Sequence, residues 1–337
     1  MLLVANMSNS ILSLPNSDGT GLLDSLANEF KRCFQELAEE AERHLSGKNF
    51  IFSRYGKAIY PYFGTTETAL VPGCIFPIKE GRPVASVDST CVLVGETSEG
   101  ALYAARTAVG VAHNGAVKKF FRLGPILVYS SRSGVTGLGT SLSPPELAMI
   151  LSDHEIAERV IRNIVERRVV ESLLSAEEAL VVMADGSLKH PFGQFSRPVP
   201  RSLLKESCLV GFSKSSNLIF SEAAVSSLTK ATGPSYHLVE DGAVKTALAK
   251  FSHDGLVFRL DFAENPETVE ITLGRILWND AFSAGYPESL KVAHHLSIFS
   301  RADDQALRAY VTKRFRLRKL PTFTLRSIAL GSFKGGA

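Results

Sequence analysis

Apolar residues recur at helical spacing from Leu22 to about Leu45: Leu22, Leu23, Leu26, Phe30, Phe34, Leu37 and Ala41, with Asp24, Glu29, Lys31, Arg32 and Glu36 between them. The pattern predicts an amphipathic helix suited to docking or dimerisation. From Arg54 to Arg82 glycine, proline and tyrosine accumulate, predicting loop with short extended pieces. The pattern then turns to strand. Pro83–Asp88 is a short apolar strand ending in an acid, Ala101–His113 follows the turn-forming stretch GETSEG, and Lys119–Ser130 supplies a third strand. Three strands joined by short turns predict an antiparallel meander.

The period changes again at Pro144. Ser143 followed by two prolines is a helix start, and the helix is expected to reach about Ser175. Over Ile156–Leu174 its apolar residues fall on more than one side, as in a centrally buried helix. Ala179–Leu188 is a continuous apolar run leading into Asp-Gly, which predicts a buried strand whose last residue projects an acid at the sheet edge. Beyond it, Pro200–Glu206 reads as helix, Leu209–Lys214 as strand and Leu218–Lys230 as helix. Gly255–Phe262 and Val269–Leu277 read as two further strands. Two helices, roughly Glu288–Phe299 and Asp303–Phe315, precede a basic tail. No internal repeat is present.

Composition narrows the classes. Of 337 residues, 45% are hydrophobic and 21% charged, a globular balance. No apolar run approaches the ~20 residues of a membrane helix. The N-terminal stretch has no basic region before its short apolar segment, so it is not read as a signal peptide, and a cytoplasmic protein is expected. Cys33, Cys74, Cys91 and Cys208 are scattered, which excludes a zinc ribbon or CxxC site and gives no support for a disulfide framework. A net charge of +3 neither demands nor forbids nucleic acid, so local clusters must decide.

Meander, buried helix, then a strand ending in an acid is the order of an RNase H-like (PIWI-like) α/β domain, a mixed sheet flanked by helices. In such a domain the first strand and the strand after the first helix lie side by side, so Asp88 and Asp185 can meet. A carboxylate from the intervening helix would complete a cage for Mg²⁺ or Mn²⁺. Glu166 is preferred and Glu171 is the alternative. The expected organisation is an N-terminal helix and loop extension over 1–80, the nuclease-type domain over 81–300, and a C-terminal helix and basic tail over 301–337.

Four pieces carry a resemblance to the NurA nuclease family, from about Pro83 to Ile298. They are VASVDST with Asp88, VVMADGSL with Asp185, LVGFSKSS with Lys214, and GYPESLKVAHHL with Tyr286 and His294. The resemblance implies Asp88 and Asp185 as metal ligands and Tyr286 and His294 as active-site residues. With Pro287 starting a helix, His294 would stand about two turns in and His295 about 100° away, as a surface or packing residue. Lys214, and with less support Arg259, could offset charge on a phosphate. The family carries Asp-Gly after the first strand where this chain has Asp88-Ser89; serine resists a positive φ, so a different local backbone is expected there.

The resemblance further implies a Mn²⁺- or Mg²⁺-dependent 5′-to-3′ DNA exonuclease and single-strand endonuclease. It implies a homodimer working with a HerA-type hexameric ATPase in DNA-end processing. No GxxxxGK[ST] pattern occurs, so the motor would be a separate chain. The alternative is a catalytically weakened DNA-binding scaffold subunit of the same complex. Another RNase H-like enzyme is disfavoured by the GYPESLKVAHH motif. The basic run Lys313–Lys319 could track a DNA backbone or form a charge-protected edge strand.

Overall fold

The computed structural model describes residues 71–317 except 80, 140–141, 177–179, 190–198, 205–206, 215–221, 241–243 and 264–267, with six positions between 28 and 43. Those six (Asn28, Lys31, Arg32, Gln35, Glu36 and Arg43) are helical and exposed, while the apolar stripe of the expected Leu22–Leu45 helix lies outside the described residues. They belong to a first compact unit, Met1–Ile59; everything below concerns the second, Tyr60–Ala337.

The meander consists of β2 (Val84–Glu96), β3 (Gly100–His113) and β4 (Ala116–Ser131), extended by β5 (Gly134–Thr136). Two helices follow, α1 (Pro144–Ser152) and α2 (His154–Leu174), then β6 (Val181–Asp185) and β7 (Cys208–Ser213). Next come α3 (Glu222–Lys230) and the strands β8 (Ser235–Glu240), β9 (Val244–Lys250) and β10 (Phe258–Ala263). The described chain closes with α4 (Val269–Asn279), the hairpin β11 (Phe282–Ser283) and β12 (Tyr286–Pro287), α5 (Glu288–Ser297) and α6 (Arg301–Arg314). With β1 (Gly73–Cys74), the described strands other than β11 and β12 form a sheet in the order β1-β8-β9-β10-β7-β6-β2-β3-β4-β5. The β2–β3–β4 pairs are antiparallel, and β6 returns parallel to β2 after the helices. This is the RNase H-like order expected of a meander, a helical crossover and a fourth strand beside the first.

Strand alternation divides the chain between two faces. Ala85, Val87, Val109, Val182 and Ala184 pack under Val170 and Leu174 of α2, and Cys91, Tyr103 and Ala105 under Ile161 and Val165. Val84, Ala112, Val181, Met183 and Phe212 face the other way, onto Leu273 and Ile276 of α4 and Leu290 of α5. Ser86, Asp88 and Thr90 share that second face by parity.

Several expectations change. The single helix from Pro144 is two, because Asp153 leaves helical geometry to cap α2, accepting from the Glu155 and Ile156 amides. Its start is as expected, with Ser143 and Glu146 forming a capping box. Val269–Leu277 is helix α4, not strand: Thr268 caps it, and Val269, Leu273 and Ile276 fall on one buried face at helical spacing. Its β-branched residues imitate a strand, but burial of that face outweighs propensity. Strands β8 and β9 were not anticipated, and Pro200–Glu206 contains a short 3-10 turn at Arg201–Leu204. Lys313 and Arg314 form the last turn of α6 rather than an edge strand; residues 318–319 lie outside the described residues. The first strand continues eight residues past Asp88, to Glu96. Ser89 therefore sits in a paired strand opposite Thr107, with its hydroxyl 2.8 Å from the Thr107 hydroxyl. No positive φ is required there, so serine costs nothing.

Helix α5 lies close on the sheet because small residues line the contact. Ser289, Ala293 and Ser297 recur every four residues, all buried. A Cβ on Gly110 of β3 would stand 2.5 Å from the Ser289 carbonyl oxygen, a backbone atom that cannot turn aside. Gly110→Ala is therefore expected to cost about 1–3 kcal/mol by overpacking. Urea unfolding of the full chain measures this, and an unchanged midpoint would contradict such close docking.

Candidate metal centre

Asp88 lies mid-strand on β2, and Asp185 ends β6. The parallel register pairs Val87 with Ala184, so the two acids stand level on adjacent strands and on one face. The third donor arrives from above: Pro287 precedes α5, and His294 projects from its second turn. One ligand atom from each of Asp88, Asp185 and His294 lies within 4.8 Å of the others.

Around them the hydrogen bonds are specific. His294 Nδ1 is 2.7 Å from Asp88 Oδ2, and the Ser89 amide donates to Asp88 Oδ1 at 2.8 Å. Ser297 Oγ also reaches Asp88 Oδ2, at 3.4 Å. Lys214 Nζ, just beyond the end of β7, donates to Asp185 Oδ2 at 2.9 Å and stands 5.4 Å from the centre of the Tyr286 ring. Burial, and then the Asp185 charge, push the Asp88 carboxyl above its ordinary range against the lowering effect of His294.

Tyr286 is placed by the β11–β12 hairpin, whose turn residues Ala284 and Gly285 both have positive φ, 52° and 79°. Glycine in GYP thus serves a tight turn. The Tyr286 ring packs edge-on against Phe212, and its hydroxyl is buried with no hydrogen-bond partner among the described residues. Burial, followed by the charges of Asp185 and Asp88, drives its pKa strongly upward, so the hydroxyl stays a proton donor facing two carboxylates. Two carboxylates and an imidazole could hold a divalent cation, and a buried donor beside them could serve an anionic oxygen.

The other expected residues lie apart. Glu166 is buried on α2, which packs against the opposite face of the sheet, and it is not one of the clustered groups. Glu171 is ion-paired with Arg167 at 2.7 Å. Arg259 pairs with Asp261 on β10. His295 is exposed on the outer side of α5, as its register requires.

Sequence reasoning missed the support beneath the cluster. Asp280, at the end of α4, accepts from the Ala281 and Ser289 amides and from the Ser289 hydroxyl. Ser289 Oγ in turn meets Ser86 Oγ on β2 at 2.5 Å. The relay ties α5, which carries His294, to β2, which carries Asp88. Nothing in the sequence separates Asp280 from an exposed helix-end acid; only burial does.

No protein-family model and no curated protein matches the sequence. Among solved structures, the NurA nuclease from Sulfolobus solfataricus is 12% identical, with a TM-score of 0.46 over 74% of this chain and 90% of that one. A NurA structure bound to dAMP and manganese is 10% identical, with a TM-score of 0.46 over 90% and 98% of the two chains. Endonuclease V from Bacillus subtilis is 12% identical, with a TM-score of 0.33 over 72% and 86%. These are likenesses of fold alone.

The relay makes a pH prediction. Burial raises Asp280 from 3.8 to about 6, against hydrogen bonds from Ser289 and Ala281 that lower it. In that window the folded chain holds the extra proton, so the group favours folding at low pH and loses that contribution as pH rises through about 6. The unfolding free energy of wild type minus that of Asp280→Asn should therefore fall by roughly 1–3 kcal/mol between about pH 4 and pH 7. Equal differences at both pH values, measured by urea unfolding, would refute the assignment.

Proposed function

We propose that this chain is a divalent-metal-dependent deoxyribonuclease of the NurA type. The carrying observation is the convergence of Asp88, Asp185 and His294 from three separate elements onto one face of the sheet. Asp88 and Asp185 would hold Mn²⁺ or Mg²⁺ with His294 beside them. When bound, such an ion supplies Lewis-acid polarisation of a phosphodiester and lowers the pKa of water.

The chain's own groups account for the rest. Asp88 orients His294 through Nδ1 and leaves Nε2 to accept a proton. The Tyr286 hydroxyl donates to a phosphate oxygen, for which it has no competing partner among the described residues. Lys214, 37% exposed and already directed at the site by Asp185, offsets negative charge on the scissile phosphate. The substrate on this reading is DNA, cut as 5′-to-3′ exonuclease and single-strand endonuclease. The protein works as a homodimer associated through the Leu22–Leu45 segment or the C-terminal region. Its partner is a HerA-type hexameric ATPase in cytoplasmic DNA-end processing. Among the described residues no helix is long and apolar enough to cross a membrane. The second reading is a catalytically weakened DNA-binding scaffold subunit; the pairing of Ser89 within β2, with Asp88 still in the cluster, supports the nuclease over it.

Asp185→Asn should leave the melting temperature in EDTA nearly unchanged, since the partly exposed Lys214 pair contributes little stability. Mn²⁺-dependent cleavage of a labelled oligonucleotide should fall roughly 100-fold or more. Near-wild-type cleavage would sink the reading; a large loss of melting temperature in EDTA would instead make Asp185 structural.

His294→Ala should likewise abolish most cleavage, whereas His295→Ala, on the solvent side of α5, should stay within about threefold of wild type. A greater loss at His295 would show that the wrong imidazole has been assigned.

A further inference from the structure

The motifs DGSL, LVGFSK and FRLDF are explained together by one buried carboxylate that lies outside the metal centre. Asp261, on β10, is completely buried. Its neighbours Leu260 and Phe262 face α4, so Asp261 projects from the opposite side of the sheet, away from Asp185. Arg259 Nε and Thr246 Oγ1 each donate to its Oδ1 at 2.9 Å. Its Oδ2 receives Ser187 Oγ at 2.5 Å, the Leu188 amide at 3.1 Å and a second Arg259 nitrogen at 3.1 Å. Two of these donors belong to the turn immediately after Asp185.

The path of that turn is legible in two glycines. Gly186 has φ +113°, and its amide donates to the Phe212 carbonyl at 2.8 Å. The turn then crosses β7 above Gly211, the register partner of both Ala184 and Asp261. A Cβ on Gly211 would stand 2.7 Å from the Gly186 carbonyl oxygen and 2.8 Å from Leu188 Cγ. The bare backbone at Gly211 thus lets the turn cross β7 and meet the carboxylate on the far side.

A buried ion pair is a poor source of stability, because desolvation offsets most of its attraction. Its use here lies in what it fixes. We propose that Asp261 is a positioning residue: through Ser187 and the Leu188 amide it locks the turn that sets the direction of Asp185. The inference rests on the metal-nuclease reading and adds that Asp185 is held from the opposite face of the sheet, where neither substrate nor metal reaches.

Ser187→Ala removes the hydroxyl half of the link while leaving Asp261 its Leu188 amide, Arg259 and Thr246 partners; Ser187→Thr retains the hydroxyl. Two measurements on the full chain test the proposal. Free Mn²⁺ followed by electron paramagnetic resonance should show about tenfold weaker binding in Ser187→Ala, restored in Ser187→Thr. Amide exchange in EDTA should quicken about tenfold at residues 186–189 and stay unchanged elsewhere in the sheet. Unchanged exchange at those amides would overturn the proposal, and so would a uniform loss of protection across the sheet, which would make the link part of the general core. Unaltered Mn²⁺ affinity in a variant with a loosened turn would overturn the connection to the centre. A wild-type chain that bound no Mn²⁺ would overturn the nuclease reading, while exchange, read without metal, would still decide whether Asp261 holds the turn.

Discussion

Asp88 and Asp185 stand level on adjacent parallel strands, two carboxylates in a partly buried setting with ligand atoms less than 5 Å apart. At that separation two full negative charges repel by roughly 3–4 kcal/mol at an effective dielectric of ~20. Desolvation adds to the cost, and Asp88 registers both by its raised pKa. Compensation comes from every side: His294 on Asp88, Lys214 on Asp185, and the Tyr286 hydroxyl held nearby as a donor. The two acids are thus balanced by neighbouring groups, and much of the surrounding structure serves to keep the cluster closed up.

That service is performed largely by absent side chains and buried acids. Gly110 allows the backbone of α5 to reach the sheet, Gly211 allows the turn after Asp185 to cross β7, and Gly285 shapes the hairpin that delivers Tyr286. Two carboxylates then fasten what the glycines admit. Asp280 ties α5 to β2 through Ser289 and Ser86, and Asp261 ties down the turn after Asp185 through Ser187. Each arm of the centre is fixed by hydrogen bonds from behind, a precision that apolar packing alone does not provide.

Much of this was open to reading because local chemistry leaves a local trace. Alternation and turn residues locate the meander, a serine and two prolines open α1, and an apolar run into Asp-Gly marks β6. Where the trace misled, competing forces acted at long range. Val269–Leu277 carries strand-forming residues, yet its period of burial is helical once α4 lies against Met183 and Phe212. The first strand looked as if it ended at Asp88 because the acid interrupts the apolar pattern; pairing with β3 carries it on to Glu96 regardless.

The sequence by itself determined which residues could share a face, since strand alternation fixes parity and helix register fixes angle. It separated His294 from His295 and placed acids on the first strand and the strand after the helices. Only the tertiary structure decided which helix covers which face. It set α2, with Glu166, against one side of the sheet and α5, with His294, against the other, so that an imidazole from the C-terminal part of the chain stands beside the two acids. Periodicity carries no information about which of two equivalent apolar faces a distant helix will choose. That choice, and with it the supporting roles of Asp261 and Asp280, follows from contacts between residues far apart in the chain, whose energies appear only when the layers are assembled.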